Sequence, residues 1–182
     1  MVDNNSASEK ESSRVFLAAF PNEILQKKLT QQAVELHTTC GGRIIKTRHI
    51  HLTLLFLGNV DICRIDILRE TMRKISAQKF ELELNKISYW KHNQIIFAEA
   101  EHYPNELFLL VESLRNSLTE AGFLFDKRHY KPHITLIKKA SHPITSQLMK
   151  PILWHINEWH LVQSKPGQKG IDYISLAHWP LK

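Results

Sequence analysis

The chain repeats itself, and the repeat constrains the fold more than any other feature. Phe20-Pro21-Asn22-Glu23-Ile24-Leu25 is matched by Tyr103-Pro104-Asn105-Glu106-Leu107-Phe108. Each copy follows a strand-like run, Val15-Phe16-Leu17-Ala18-Ala19 in one and Ile95-Ile96-Phe97-Ala98 in the other. Further on, His51-Leu52-Thr53-Leu54 is matched by His133-Ile134-Thr135-Leu136. The two landmarks recur in the same order at offsets of 83 and 82 residues, which chance does not readily produce and duplication does.

Periodicity fills in the elements between these landmarks. Leu107, Leu110, Val111, Leu114 and Leu118 recur at helical spacing, with Pro104 at the start of the run and Gly122 just past its end. Ile24, Leu25, Leu29, Ala33 and Leu36 form the stripe of a weaker helix over 22–38, stopped by Gly41-Gly42. A third helix is expected over 62–75 from Ile65, Leu68, Met72 and Ile75. Phe80, Leu82 and Leu84 alternate with polar residues, as do parts of 159–163 and 173–176, and these read as strands. The expected fold is α+β and bilobal: duplicated strand–helix–strand units with antiparallel sheets around a central cleft, related by a pseudo-twofold axis. Residues 1–13 are Asn, Ser, Glu and Lys with few apolar members and read as a disordered leader; 14–182 read as a single bilobal domain.

The His-x-Thr pairs carry the chemistry. Residues two apart on a strand share a face, so His51 projects with Thr53 and His133 with Thr135. A twofold relation would set the two pairs across one cleft. One neutral imidazole can take a proton from an attacking water while the other, protonated, gives one to a leaving oxygen. The threonine hydroxyls can donate to the non-bridging oxygens of a phosphate as charge gathers there. This scheme calls for no metal and no cofactor. Arg43, Lys46 and Arg48 lead into the first motif, Lys127, Arg128 and Lys131 into the second, and Lys138-Lys139 follow it, so positive charge is expected around the cleft.

These motifs resemble the paired His-x-Thr-x signatures of the two-histidine phosphoesterase superfamily, and in particular its RNA 2′,3′-cyclic phosphodiesterases, also called 2′-5′ RNA ligases. The extended forms are HLTLLFLG over 51–58 and PHITLI over 132–137, and the similarity runs from Arg14 to about Trp179. The resemblance implies an active site between lobes and hydrolysis of RNA 2′,3′-cyclic phosphate ends to 2′-phosphomonoesters. It also implies His51 as proton donor and His133 as proton acceptor. Where the family commonly has arginine five positions after the second histidine, this chain has Lys138, which keeps the charge but not the planar fork. Strict alternation would turn Lys138 away from His133 unless the strand ends or bulges first. Gly170-Ile171-Asp172-Tyr173 resembles a Gly-x-x-Tyr segment of the family and is assigned a structural part.

Blander readings apply to the remaining candidates. His49 beside His51 raises a His-x-His metal pair, but no carboxylate accompanies it and Lys131 stands at the matching place in the second half. Tyr130 suits either stacking on a base or packing in the core, and Trp90, Trp154, Trp159 and Trp179 are assigned to the core. Cys40 and Cys63 match no metal or redox spacing and are read as two thiols of a cytoplasmic protein. With 24 Lys and Arg against 18 Asp and Glu, the net charge is +6, which favours a polyanionic partner. RNA with 2′,3′-cyclic phosphate termini, or a small cyclic nucleotide, is the expected partner; a membrane is not, and the chain is expected to be monomeric. Two alternatives use the same residues: 2′-5′ RNA ligation by the reverse reaction, and a basic RNA-binding module without catalysis.

Overall fold

The structure, a computed structural model, describes residues 11–168 and 170–182. Two antiparallel sheets build it. The first sheet has the order β3-β1-β8-β9, with β1 Ser12–Ala19, β3 Leu52–Asp61, β8 Glu158–Gly167 and β9 Gly170–Pro180. The second has the order β2-β6-β5-β4-β7, with β2 Arg43–Ile44, β4 Phe80–Trp90, β5 Ile95–Glu99, β6 Ile134–Lys138 and β7 Gln147–Ile156. Each His-x-Thr motif runs into a strand that pairs with the strand opening its own repeat: β3 with β1, and β6 with β5.

The helices form where capping chemistry and periodicity agree. α1, Glu23–Cys40, starts at Asn22, whose side chain accepts from the Leu25 amide at 3.0 Å, and ends at Gly41 with φ of 63°. α2, Ile65–Arg73, is shorter than the periodic run that announced it, because 62–64 wind as a tighter 3₁₀ turn. α3, Asn105–Glu120, buries Leu107, Leu110, Val111, Leu114 and Leu118, and Gly122 follows it with φ of 67°.

The helices cross over between the halves. α1 belongs to the first repeat but packs on β2 and β6 of the second sheet. α3 belongs to the second repeat but packs on β3 of the first sheet and on α2. One buried cluster therefore runs from Val15 and Leu29 through Leu84 and Leu107 to Leu136 and Trp159, without a seam. Burying such a set from water is the main force holding the sheets and helices together.

Two details differ from the sequence reading. The stretch read as leader reaches residue 13, yet Ser12 and Ser13 already belong to β1, opposite Asp61 and Val60. The long β3 templates them, and the buried Ser13 hydroxyl accepts from Gln163 at 2.8 Å, so polarity did not prevent order there. The rest of that leader, 1–10, lies outside the described residues. Trp154 and Trp159 are core residues and Trp179 stacks on Trp159 at 4.4 Å, but Trp90 is only half-buried. It lies beside His133 rather than in the core, with ring centroids 4.6 Å apart.

Candidate active site

Paired strands would present alternate residues to one side, and both motif strands break that rule at the same place. Opposite β1, Thr53 pairs with Ala18 and Leu55 with Leu17, so Leu54 is an extra residue. Opposite β5, Thr135 pairs with Phe97 and Ile137 with Ile96, so Leu136 is an extra residue. Each is a β-bulge on the fourth residue of the motif. Past each bulge the faces exchange. Leu54-Leu55 and Leu136-Ile137 are buried, while Thr53 and Phe56, like Thr135 and Lys138, stay half-exposed. The bulge thus puts Lys138 on the face of His133 and Thr135, and it puts Phe56 in the equivalent position of the first half.

The two histidines are held alike. Nδ1 of His51 lies 2.7 Å from the His49 carbonyl, and Nδ1 of His133 lies 2.8 Å from the Lys131 carbonyl, two residues back in both cases. A carbonyl only accepts, so Nδ1 carries the hydrogen and Nε2 is left as the reactive nitrogen of each neutral ring. Nε2 of His51 meets the Thr53 hydroxyl at 3.0 Å. Aromatic rings fix both imidazoles. Phe16, Phe20 and Tyr173 surround His51 with centroids at 5.1, 5.6 and 5.4 Å. Trp90 and Phe97 flank His133 at 4.6 and 5.6 Å.

The electrostatics join the two halves. Burial among the rings pushes the His51 pKa down to about 4, and the charges of Lys138 and His133 push the same way. His133 is lowered as well, chiefly by burial and further by Lys138, while Glu99 works in the opposite direction. Lys138 is itself lowered by burial and by the charges of Arg43 and Arg14. Lys138 therefore acts on both histidines, and Arg14 and Arg43 act on Lys138: one shared, electropositive space lies between the motifs. With both rings neutral and Nε2 the reactive nitrogen of each, that of His51 behind the Thr53 hydroxyl, that space can accept a phosphate and move protons on either side of it.

The wider ring of positive charge expected from the sequence is smaller than its residue count. Arg48 is engaged by Asp172 at 2.7 Å and Arg128 by Asp126, so neither faces the cleft as a free charge. Lys139 is exposed in a left-handed turn with φ of 54°. His49 is committed too: its Nε2 accepts from Arg48 at 3.3 Å and its ring packs on Tyr173 at 4.6 Å. Among the described residues no group of three or more His, Cys, Asp or Glu side chains is placed to hold a metal ion. The Tyr130 hydroxyl donates to the Thr53 carbonyl at 3.1 Å, which makes Tyr130 a tie between the halves rather than a surface for a base.

Sequence reading missed Arg14, Phe16, Trp90 and Tyr173 as residues of this space. Tyr173 had a signal, the Gly-x-x-Tyr segment, but was given a structural part; it lies edge-on to His51. Arg14 had none, because its place depends on how β1 pairs with β3.

Comparison with known proteins adds the missing context. The family model LigT like Phosphoesterase matches residues 20–97. Over that stretch the chain is similar to this family. It is 29% identical to the RNA 2′,3′-cyclic phosphodiesterase of Escherichia coli K12 over 94% of this chain and 98% of that one. It is 29% identical to the protein of that name from Thermotoga maritima, over 71% of this chain and 72% of that one. Among solved structures, a phosphoesterase superposes with a TM-score of 0.80 at 25% identity, covering 94% of this chain and 99% of that one. E. coli LigT complexed with 3′-AMP superposes with a TM-score of 0.80 at 24% identity, over 94% and 99% of the two chains. These neighbours share the mixed fold of two antiparallel sheets.

Proposed function

We propose that this phosphoesterase hydrolyses the 2′,3′-cyclic phosphate ends of RNA to 2′-phosphomonoesters, with His51 and His133 as its acid–base pair and no metal ion. The observation that carries the reading is the duplicated hold on the two imidazoles. Each Nδ1 is bonded to the carbonyl two residues back, so each Nε2 is presented to the shared space from an equivalent bulged strand. The relatives from E. coli and T. maritima bear the name RNA 2′,3′-cyclic phosphodiesterase, which supports the substrate.

In this mechanism a water oxygen attacks phosphorus, His133 takes the water proton, and the bond from phosphorus to the 3′ oxygen breaks. His51 gives its proton to that oxygen, leaving a 3′-hydroxyl and a 2′-phosphate. Thr53 and Thr135 donate to the non-bridging oxygens, and Lys138 balances the charge that gathers on them. The Thr53 hydroxyl leaves His51 Nε2 to do so. With its pKa pushed down to about 4, His51 is neutral at pH 7 and not yet an acid. The anionic phosphate supplies what is missing, because a negative charge beside a buried imidazole favours its protonated form. Free-site electrostatics favour His133 as the ring that protonates more readily, since Glu99 assists it. The donor role of His51 therefore depends on the bound substrate.

The test is incubation with 2′,3′-cyclic AMP in excess chelator, with the product identified. Turnover to 2′-AMP is expected. Loss of turnover restored by one divalent ion would overturn the metal-free mechanism, and 3′-AMP as product would overturn the choice of bond.

A further inference from the structure

A phosphodiester has two non-bridging oxygens related by a local twofold, and the cleft is built on a twofold as well. The second half supplies a cation for one of them: Lys138, three residues past Thr135 and on the same face because of the bulge at Leu136. Counting the same way past Thr53, over the bulge at Leu54, leads to Phe56, which carries no charge. The cation is found one strand over. On β1, Arg14 lies on the same side as Phe16, and its guanidinium carbon sits 5.0 Å from the centre of the Phe56 ring.

We infer that Arg14 is the first-half counterpart of Lys138, a phosphate-binding residue that meets the second non-bridging oxygen of the scissile phosphate. The inference rests on the function proposed above for its substrate, but on separate observations for its geometry. Among the described residues no carboxylate lies within ion-pair distance of Arg14, whereas Arg48 and Arg128 are each matched. The Phe56 face attracts the guanidinium without satisfying its five donors. Arg14 is also close enough to act on Lys138 and on Tyr173, and Tyr173 is in edge contact with His51. Arg43 and Arg14 thus both repel Lys138, and among the described residues neither Arg14 nor Lys138 has an ion-pair partner. A phosphate relieves that repulsion, and a planar guanidinium can grip it through two donors where Lys138 offers a point charge. The fork that the family's usual arginine would supply on the second strand is present in this chain on the first.

The experiment compares Arg14→Met, which keeps the stem that packs on Phe56, with Arg14→Lys, which keeps the charge. Binding of inorganic phosphate and of 2′-AMP is measured by calorimetry, and kcat/KM is measured on 2′,3′-cyclic AMP and on a dinucleotide ending in a 2′,3′-cyclic phosphate. Arg14→Met is expected to weaken phosphate and 2′-AMP binding roughly ten- to hundredfold, the range for a charge-assisted hydrogen bond. Arg14→Lys should recover most of that loss, and both substrates should suffer alike. Unchanged phosphate binding in a folded Arg14→Met protein would overturn the inference and leave Arg14 a packing residue. A loss confined to the dinucleotide would overturn it too, because Arg14 would then serve the next phosphate along the chain. Phosphate binding is read without turnover, so a protein that binds phosphate through Arg14 yet leaves 2′,3′-cyclic AMP intact would refute the proposed function and sustain this site.

Discussion

His51 and His133 donate from the same ring nitrogen to carbonyls at the same distance along the chain, His49 at 2.7 Å and Lys131 at 2.8 Å. That bond fixes the tautomer and the rotation of each ring before any ligand arrives. It is a second-order interaction for the chemistry and a first-order one for its readiness, since a ring held this way needs little reorganisation.

The histidine pair is the first thing to alter. His51→Ala and His133→Ala are each expected to lower kcat on a 2′,3′-cyclic nucleotide by about 10² to 10⁴. The double variant should lose far less than the product of the two, as groups that act in one step are not additive. Steady-state rates of the four proteins check this. A His51→Ala protein with near-normal turnover would remove it from the mechanism.

The pH profile follows from the electrostatics. Both imidazoles titrate below the usual histidine value in the free protein, His51 at about 4. The profile of kcat/KM, which reports free-enzyme groups, should therefore be a bell lying on the acid side of about 6.5, with its lower limb near 4. Bound phosphate raises both groups, so the bell for kcat should move to higher pH. Exchanging the roles of the two rings gives the same bell, which is why single variants are needed to assign the limbs. A kcat/KM optimum well above pH 7 would contradict the burial argument.

Lys138 is expected to act as a charge rather than a fork. Lys138→Ala should raise KM by about tenfold or more, while Lys138→Arg should stay close to the parent protein. Deleting Leu136 is a harsher test of geometry, because removing the bulge restores alternation and turns the charge toward the core. Thermal unfolding should show that variant strongly destabilised.

Tyr130 separates architecture from chemistry. Tyr130→Phe deletes the bond to the Thr53 carbonyl, which is worth about 1 kcal/mol in such settings, and keeps the contact with Phe108. A Tm a few degrees lower with kcat nearly unchanged is the expected result. A large fall in kcat with no change in Tm would mean that Tyr130 takes part in the reaction.

Much of the fold was open to reading from residues alone, for identifiable reasons. α3 was legible because five core residues fall on one stripe between Pro104 and Gly122, and α1 because Gly41-Gly42 ends it. The His-x-Thr pairs were legible because duplication printed them twice. The bulges were not, since an extra residue is defined only against a partner strand, and the orientation of Lys138 hung on one of them. Arg14 was hidden for the same reason: it precedes the first landmark and reaches the cleft only through the pairing of β1 with β3. Trp90 closes an ordinary-looking alternating strand, and nothing local distinguishes a tryptophan facing a cleft from one facing the core.

The crossed packing of α1 and α3 has a mechanical consequence. Each helix is rooted in one sheet's connectivity and braced on the other, so the two halves are cross-laced and cannot swing apart like the jaws of a clamp without stripping both helices from their seats. On the function proposed above, such bracing favours what can thread between the halves, and a frayed single-stranded terminus enters where a paired end would first have to melt.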